Sequence, residues 1–192
     1  GHAMGADGRL AVIRRLDAQF HQLILRRDGA AWVEVTRCQP FRDCSLVALS
    51  PDARRLFLKT PHQDDREALV EVTLATGARR TVQQDPLATA DLAGVLLSAK
   101  ERQPMVAVWL LPQPRMAGIN AAGRRLVEDV ARRFPEGGAL ADYCARPVCL
   151  LAERGARLQG ARYWLYDVQA RSFRLVLDKV DTGAKPLPEP QL

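Results

Sequence analysis

Hydrolytic chemistry at a serine needs a hydroxyl, a histidine beside it and a carboxylate that holds the histidine. The chain has four serines, Ser45, Ser50, Ser98 and Ser172, and none lies in the G-x-S-x-G turn that lifts a nucleophile between a strand and a helix. The N-terminal Gly1-His2-Ala3-Met4 reads as a scar of tag cleavage, which leaves His21 and His62 as the histidines available for chemistry. His62 stands beside Asp64 and Asp65 in the polar stretch Pro61 to Arg66 and reads as an exposed loop residue. His21 opens a strand and reads as structural. We therefore expect no catalytic residues, no cofactor and no metal in this chain.

Other polar groups could touch a ligand or partner. Asp64, Asp65 and Arg66, followed by Glu67, could take a cation or the positive end of a peptide, and Glu153 with Arg154 could face a central channel. A solvated charge cluster is the competing reading for the first group. Cys38 and Cys44 are separated by five residues, and Cys144 and Cys149 by four, unlike the close C-x2-C pairs of common zinc sites. Two disulfides are an alternative, but a chain of 192 residues can bury a core without them. Free thiols in a reducing cytoplasm are the expectation. Trp32, Trp109 and Trp164 sit at strand positions and are expected to pack between sheets.

The elements that must position these residues are mostly strands. Glu67 to Val82 and Ala161 to Leu177 each run from an apolar strand through a short polar turn into a strand that carries arginine near its start. Leu10 to Arg15, His21 to Arg27 and Ala31 to Cys38 form a first group, the last two joined at Asp28-Gly29, a strong hairpin turn. Leu46 to Leu49, Arg55 to Thr60, Glu67 to Leu74 and Arg79 to Gln83 form a second, its first strand ended by the turn Ser50-Pro51-Asp52. Leu92 to Ser98 and Pro104 to Leu111 begin a third. Ala139 to Cys144, Val148 to Ala152, Arg162 to Asp167 and Ser172 to Leu177 make the last. Between the third and last groups, Ile119, Ala122, Leu126, Val127, Val130, Ala131 and Phe134 recur at helical spacing, with Asn120 able to cap the start and Pro135 to end it.

Groups of antiparallel strands at a period of roughly 40 to 50 residues predict propeller blades. The expected fold is mainly β, about three to four propeller-type blades in an open or partial propeller, with one inserted amphipathic helix near 119–134. Residues 1–8 are expected to be scar and disordered terminus, 9–178 the propeller, and 179–192 a Pro-rich tail.

The net charge of +6 comes almost wholly from arginine, since only Lys59, Lys100, Lys179 and Lys185 are lysine. The arginines are scattered along the chain, and the aromatics lie inside apolar strands. A nucleic-acid surface would gather both on one exposed face, so nucleic acid is an unfavoured partner. No apolar run approaches the roughly 20 residues of a membrane-spanning helix, and no membrane role is expected.

The succession Leu49-Ser50-Pro51-Asp52-Ala53-Arg54-Arg55-Leu56-Phe57-Leu58, Ala68 to Gly77, Ala93-Gly94-Val95-Leu96-Leu97 and Pro104-Met105-Val106-Ala107-Val108 resembles the propeller of prolyl-oligopeptidase-family serine peptidases. The helix Ile119 to Phe134 and the strand Tyr163-Trp164-Leu165-Tyr166-Asp167 resemble that family in order and spacing, so the likeness covers about Phe20 to Asp178. The departures are Ala53 where the family carries a turn glycine, Thr73 where it carries an aspartate, and the segment Ala152 to Gly160, where the family's stretch is rich in Ser, Asp, Pro and Gly. The resemblance implies a propeller that gates substrates by size in front of an α/β-hydrolase domain that this sequence does not contain.

Three readings follow. The leading one is a non-catalytic propeller-type module acting in protein–protein association, its partner a second copy through open blade edges, another protein or a peptide. The second is a fragment of an active serine peptidase whose chemistry lies outside the chain. The third is a basic nucleic-acid-binding module.

Overall fold

The computed structural model describes residues 1–61, 63–98, 101–111, 114–135, 139–145, 148–155 and 158–179, so His62 and the prolines of the tail lie outside the described residues. Among these residues the chain forms four antiparallel sheets and one helix, in sequence order. The first sheet runs β1 (His2–Met4), β2 (Leu10–Leu16), β3 (Gln22–Asp28) and β4 (Ala31–Cys38). The second runs β5 (Ser45–Leu49), β6 (Arg55–Pro61), β7 (Glu67–Thr73) and β8 (Arg79–Gln83). The third has three strands, β9 (Gly94–Leu97), β10 (Pro104–Trp109) and β11 (Arg115–Gly118), followed by α1 (Ala121–Arg133). The fourth runs β12 (Ala139–Ala145), β13 (Val148–Gly155), β14 (Leu158–Asp167) and β15 (Ser172–Asp178). Each sheet is a simple up-and-down meander, the pattern of a propeller blade.

Turn chemistry explains the meanders. Gly29 takes φ 60° in the tight β3–β4 turn, a conformation that costs glycine nothing. Gly77 takes φ 72° in the β7–β8 turn, and a Cβ there would stand 2.3 Å from the Val35 carbonyl oxygen of the first sheet. At the turn before β6, Asp52 accepts from the Ser50 hydroxyl at 2.5 Å and from the Arg54 amide at 3.1 Å. That cradle holds Ala53 at φ 53°, the left-handed conformation normally given to glycine, at a cost of about 1 kcal/mol.

The core lies between successive sheets. Alternate residues of a strand point to opposite faces. Leu56, Leu58, Val70 and Val72 of the second sheet pack on Val12, Ile24 and Cys38 of the first. On its other face Phe57 and Leu69 meet Ala107 and Trp109 of the third. Val106 and Val108, from the opposite face of β10, join Leu126, Val130 and Phe134 of α1 and Cys149, Leu151 and Tyr166 of the fourth sheet. Every residue of β10 is buried, as expected of a strand covered on both sides. The first strands of neighbouring sheets also touch, β1 against β5 and β12 against β9, so the sheets radiate from one side.

Helix α1 follows β11 and packs on the face of the third sheet that looks towards the fourth. Its N-cap Asn120 accepts from the Gly123 amide at 2.8 Å and donates to the Pro104 carbonyl at 3.2 Å. Gly123 lets the helix lie directly on β10, because a Cβ there would sit 1.8 Å from the Met105 carbonyl oxygen.

Two expectations are corrected. Residues set aside as a scar and disordered terminus supply β1, where His2 and Ala3 pair with Ile13 and Val12, so the first blade is complete. The four cysteines, expected as free thiols, form disulfides Cys38–Cys44 and Cys144–Cys149. The second joins residues directly opposite each other in the β12–β13 hairpin, a proximity that sequence spacing alone does not give.

Candidate functional site

The charged residues singled out from the sequence are not brought together. Asp64, Asp65 and Arg66 occupy the loop between β6 and β7, whereas Glu153 and Arg154 lie near the end of β13, two sheets away. Asp64 accepts from the Arg66 amide at 2.9 Å and from its guanidinium at 2.6 Å, and these bonds hold its carboxyl below the usual range. Asp65 accepts from Arg42 at 3.0 Å. Lys59 sits between Asp43 at 2.9 Å and Glu67 at 2.8 Å, so the charges at this end of the second sheet satisfy one another. Glu153 accepts the Trp164 indole N–H at 2.8 Å, which fixes that ring, and Arg154 is exposed.

The elements of a triad are equally dispersed. His21 faces the Asp17 carboxylate at 3.1 Å, a histidine–carboxylate pair that the sequence suggested for His62 instead. Among the described residues no serine hydrogen-bonds to His21. Ser50 and Ser98 cap turns, accepting from the Arg55 amide at 2.9 Å and the Glu101 amide at 3.3 Å.

The surface that stands out is apolar, and it comes in two parts. In the fourth sheet, Cys149, Leu151 and Tyr166 face the third sheet, so their strand neighbours Leu150, Ala152 and Leu165 face outward. Leu150 pairs with Leu165, Ala152 with Tyr163, and Tyr163 with Leu177, which is 43% exposed. In the first sheet, Val12 and Ile24 face inward, and Ile13, Leu23 and Leu25 alternate outward among charged residues, with Arg15 and Arg37 opposite Leu23 and Glu34 opposite Leu25. Trp32, expected between sheets, is on this outer face, opposite Arg27 and 37% exposed. Trp109 and Trp164 do pack as expected, the first between sheets two and three and the second against Phe134 at 5.6 Å. A sheet with one wet face normally alternates apolar and polar residues. The runs Val148-Cys149-Leu150-Leu151-Ala152 and Tyr163-Trp164-Leu165-Tyr166 do not alternate, and they read as strands meant to be covered on both sides.

Neither a protein-family model nor a curated protein sequence matches the chain. Solved structures do. A puromycin hydrolase S511A mutant complexed with PGG matches all of this chain with TM-score 0.59 at 15% identity, over 30% of its own length. A structure from a study of two prolyl endopeptidases matches 95% of the chain with TM-score 0.61 at 14% identity, over 26% of its length. Prolyl oligopeptidase B from Galerina marginata, bound to a 35mer hydrolysis and macrocyclization substrate, matches 97% with TM-score 0.62 at 15% identity, over 27% of its length. The fold is thus that of a partial propeller as found in prolyl oligopeptidase structures. The chain spans less than a third of the length of these proteins.

Proposed function

We propose that this chain is a propeller module that works by protein association and performs no chemistry itself. The observation that carries the reading is the apolar outer face of the fourth sheet, Leu150, Ala152, Tyr163, Leu165 and Leu177, with a smaller strip of Ile13, Leu25 and Trp32 set among charged residues on the outer face of the first. Contiguous apolar surface of this kind marks sites of association rather than solvent-facing surface. The dispersal of Ser, His and carboxylate groups supports a role without catalysis, and self-satisfied ion pairs at Asp64, Asp65 and Arg66 leave those residues a secondary part at most. Light scattering over a range of concentration, read together with binding of an apolar dye, tests it. Association, or strong dye binding by a monomer, supports the reading; a monomer at every concentration that binds no dye overturns it.

A second reading keeps the chain as part of a longer serine hydrolase. It is favoured by the kind of structure the chain resembles, hydrolases and peptidases several times its length. A G-x-S-x-G motif encoded in frame beyond Leu192 is its test. For location, no helix among the described residues is long and apolar enough to cross a membrane. The cytoplasm was expected on the ground of free thiols; two disulfides favour an oxidising compartment.

A further inference from the structure

We infer that the Cys144–Cys149 disulfide is a redox-sensitive staple: a dithiol reductant opens it while Cys38–Cys44 stays closed, and its opening loosens β12 and the end of α1 from the fourth sheet. The first observation is access. Both cysteines of the Cys38–Cys44 bridge lie in the core between the first two sheets, 3% and 0% exposed. The Cys38 sulfur is further covered by the Thr60 hydroxyl and the Arg79 guanidinium, each at 3.7 Å. Cys149 is buried too, but its partner Cys144 is only half-buried, and the exposed Ala145 follows it where the β12–β13 hairpin turns. Thiol–disulfide exchange needs a thiolate to reach one of the two sulfurs, so access separates the bridges.

The second observation is position. Strand β12 is the next element after α1, and within its sheet it pairs only with β13. The bridge ties these two strands at a directly opposed pair. On the other side of Cys149 stands Tyr166 of β14, whose hydroxyl donates to the buried Asp129 of α1 at 2.6 Å. Cys149 and Tyr166 belong to the cluster that holds Leu126, Val130 and Phe134 of the helix. The bridge thus pins the strand that continues from the helix to the strand beside the helix anchor. In the opening step a reductant thiolate attacks the Cys144 sulfur, the S–S bond breaks, and Cys149 leaves as a thiolate that takes up a proton. The second thiol of the reductant then attacks the mixed disulfide, releases Cys144 as a thiol and closes the reductant into its own disulfide. Two electrons and two protons pass from the reductant to the protein.

The test treats the full chain with increasing dithiothreitol under native conditions, quenches with acid, labels freed thiols in denaturant and maps the labels by peptide mass. Hydrogen exchange is read at each step. Label is expected first on Cys144 and Cys149, with Cys38 and Cys44 still unlabelled. At that step the amides of β12 and of the last turn of α1 should exchange roughly tenfold faster, the scale of one lost hydrogen bond, while those of β6 and β7 keep their rates. The Cys144→Ser/Cys149→Ser variant should show the faster exchange without reductant and no further change in β12 or α1 with it. Where circular dichroism shows that variant unfolded, the partly reduced wild type supplies the open form. Opening of Cys38–Cys44 first, of both bridges together, or of neither in the folded protein overturns the selective staple. Opening of Cys144–Cys149 with unchanged exchange in β12 and α1 overturns its hold on the helix.

Discussion

Asp129 of helix α1 and Arg171 of the β14–β15 turn form a two-bonded ion pair, with the guanidinium donating to the carboxylate at 2.9 and 2.5 Å across 42 residues of sequence. The Tyr166 hydroxyl donates to the same carboxylate at 2.6 Å and Arg132 at 2.9 Å. Asp129 is 3% exposed, so its charge is tolerated only because these donors surround it. The bonds from Arg171 hold its carboxyl well below the usual range against the opposing effect of burial, and burial with the bond to Asp129 pushes the Tyr166 hydroxyl up to about 12. The pair fastens the helix to the fourth sheet.

Replacing Asp129 by Asn should lower stability by about 2 kcal/mol, the scale of a charge-assisted bond discounted because Arg171 is half exposed. Arg171→Gln should cost less, since Tyr166 and Arg132 still pair with the carboxylate. Urea denaturation of the two single variants and the double variant checks this: the costs should fall short of adding. Additive costs would mean that the two groups act independently.

Gly123→Ala reverses the ordinary helix rule. Alanine in a helix interior is usually better than glycine by about 1 kcal/mol. Here the added methyl would overlap the Met105 carbonyl oxygen, so the helix must lift from β10, and a loss of about 1 to 3 kcal/mol is expected. Thermal melting reads the sign directly. A melting point at or above that of the wild type would contradict the close packing.

The two disulfides close short loops, and each should contribute about 2 kcal/mol through the unfolded chain. Thiol titration of the protein denatured without reductant should find no free cysteine. Reductant should lower the melting temperature, and the Cys144→Ser/Cys149→Ser variant should melt lower and respond less to reductant.

Part of the acid sensitivity should trace to Asp85. Burial would raise its pKa, but bonds from the Thr89 amide and hydroxyl, the Leu87 amide and Arg115 outweigh it and bring it to about 2. The folded value lies below the ordinary 3.8, so the stabilisation is present above that pH and is lost as pH falls towards 2. Melting temperatures measured from neutral pH downward should drop more steeply below pH ~4 for the wild type than for Asp85→Asn. Parallel curves would assign the acid sensitivity elsewhere.

Strand order and the helix were legible because their signals are local. The period of the apolar residues and the Asn120 cap placed the helix at 119–134, and it runs Ala121–Arg133. The strands from Leu10 to Leu177 announced themselves by apolar runs between turn residues. What escaped depends on neighbours. β11 is four residues, Arg115–Gly118, and β1 three, both too short for a pattern, and β1 is defined by its pairing with β2. Trp32 resembles Trp109 in sequence, yet it is 37% exposed, opposite Arg27 on the outer face of the first sheet. Asp129 and Arg171 meet only once the helix is docked, so nothing near either residue signals the other. The apolar faces were readable in principle: Tyr163-Trp164-Leu165-Tyr166 lacks the alternation of a half-exposed strand.

Association through these two faces is tested most directly by hydroxyl-radical footprinting at low and high protein concentration. Trp32 on the first sheet and Tyr163 on the fourth should lose reactivity together as concentration rises, while Phe41, 89% exposed in the loop after β4, keeps its own. Unchanged reactivity at Trp32 and Tyr163, or protection centred on Phe41, would contradict the account.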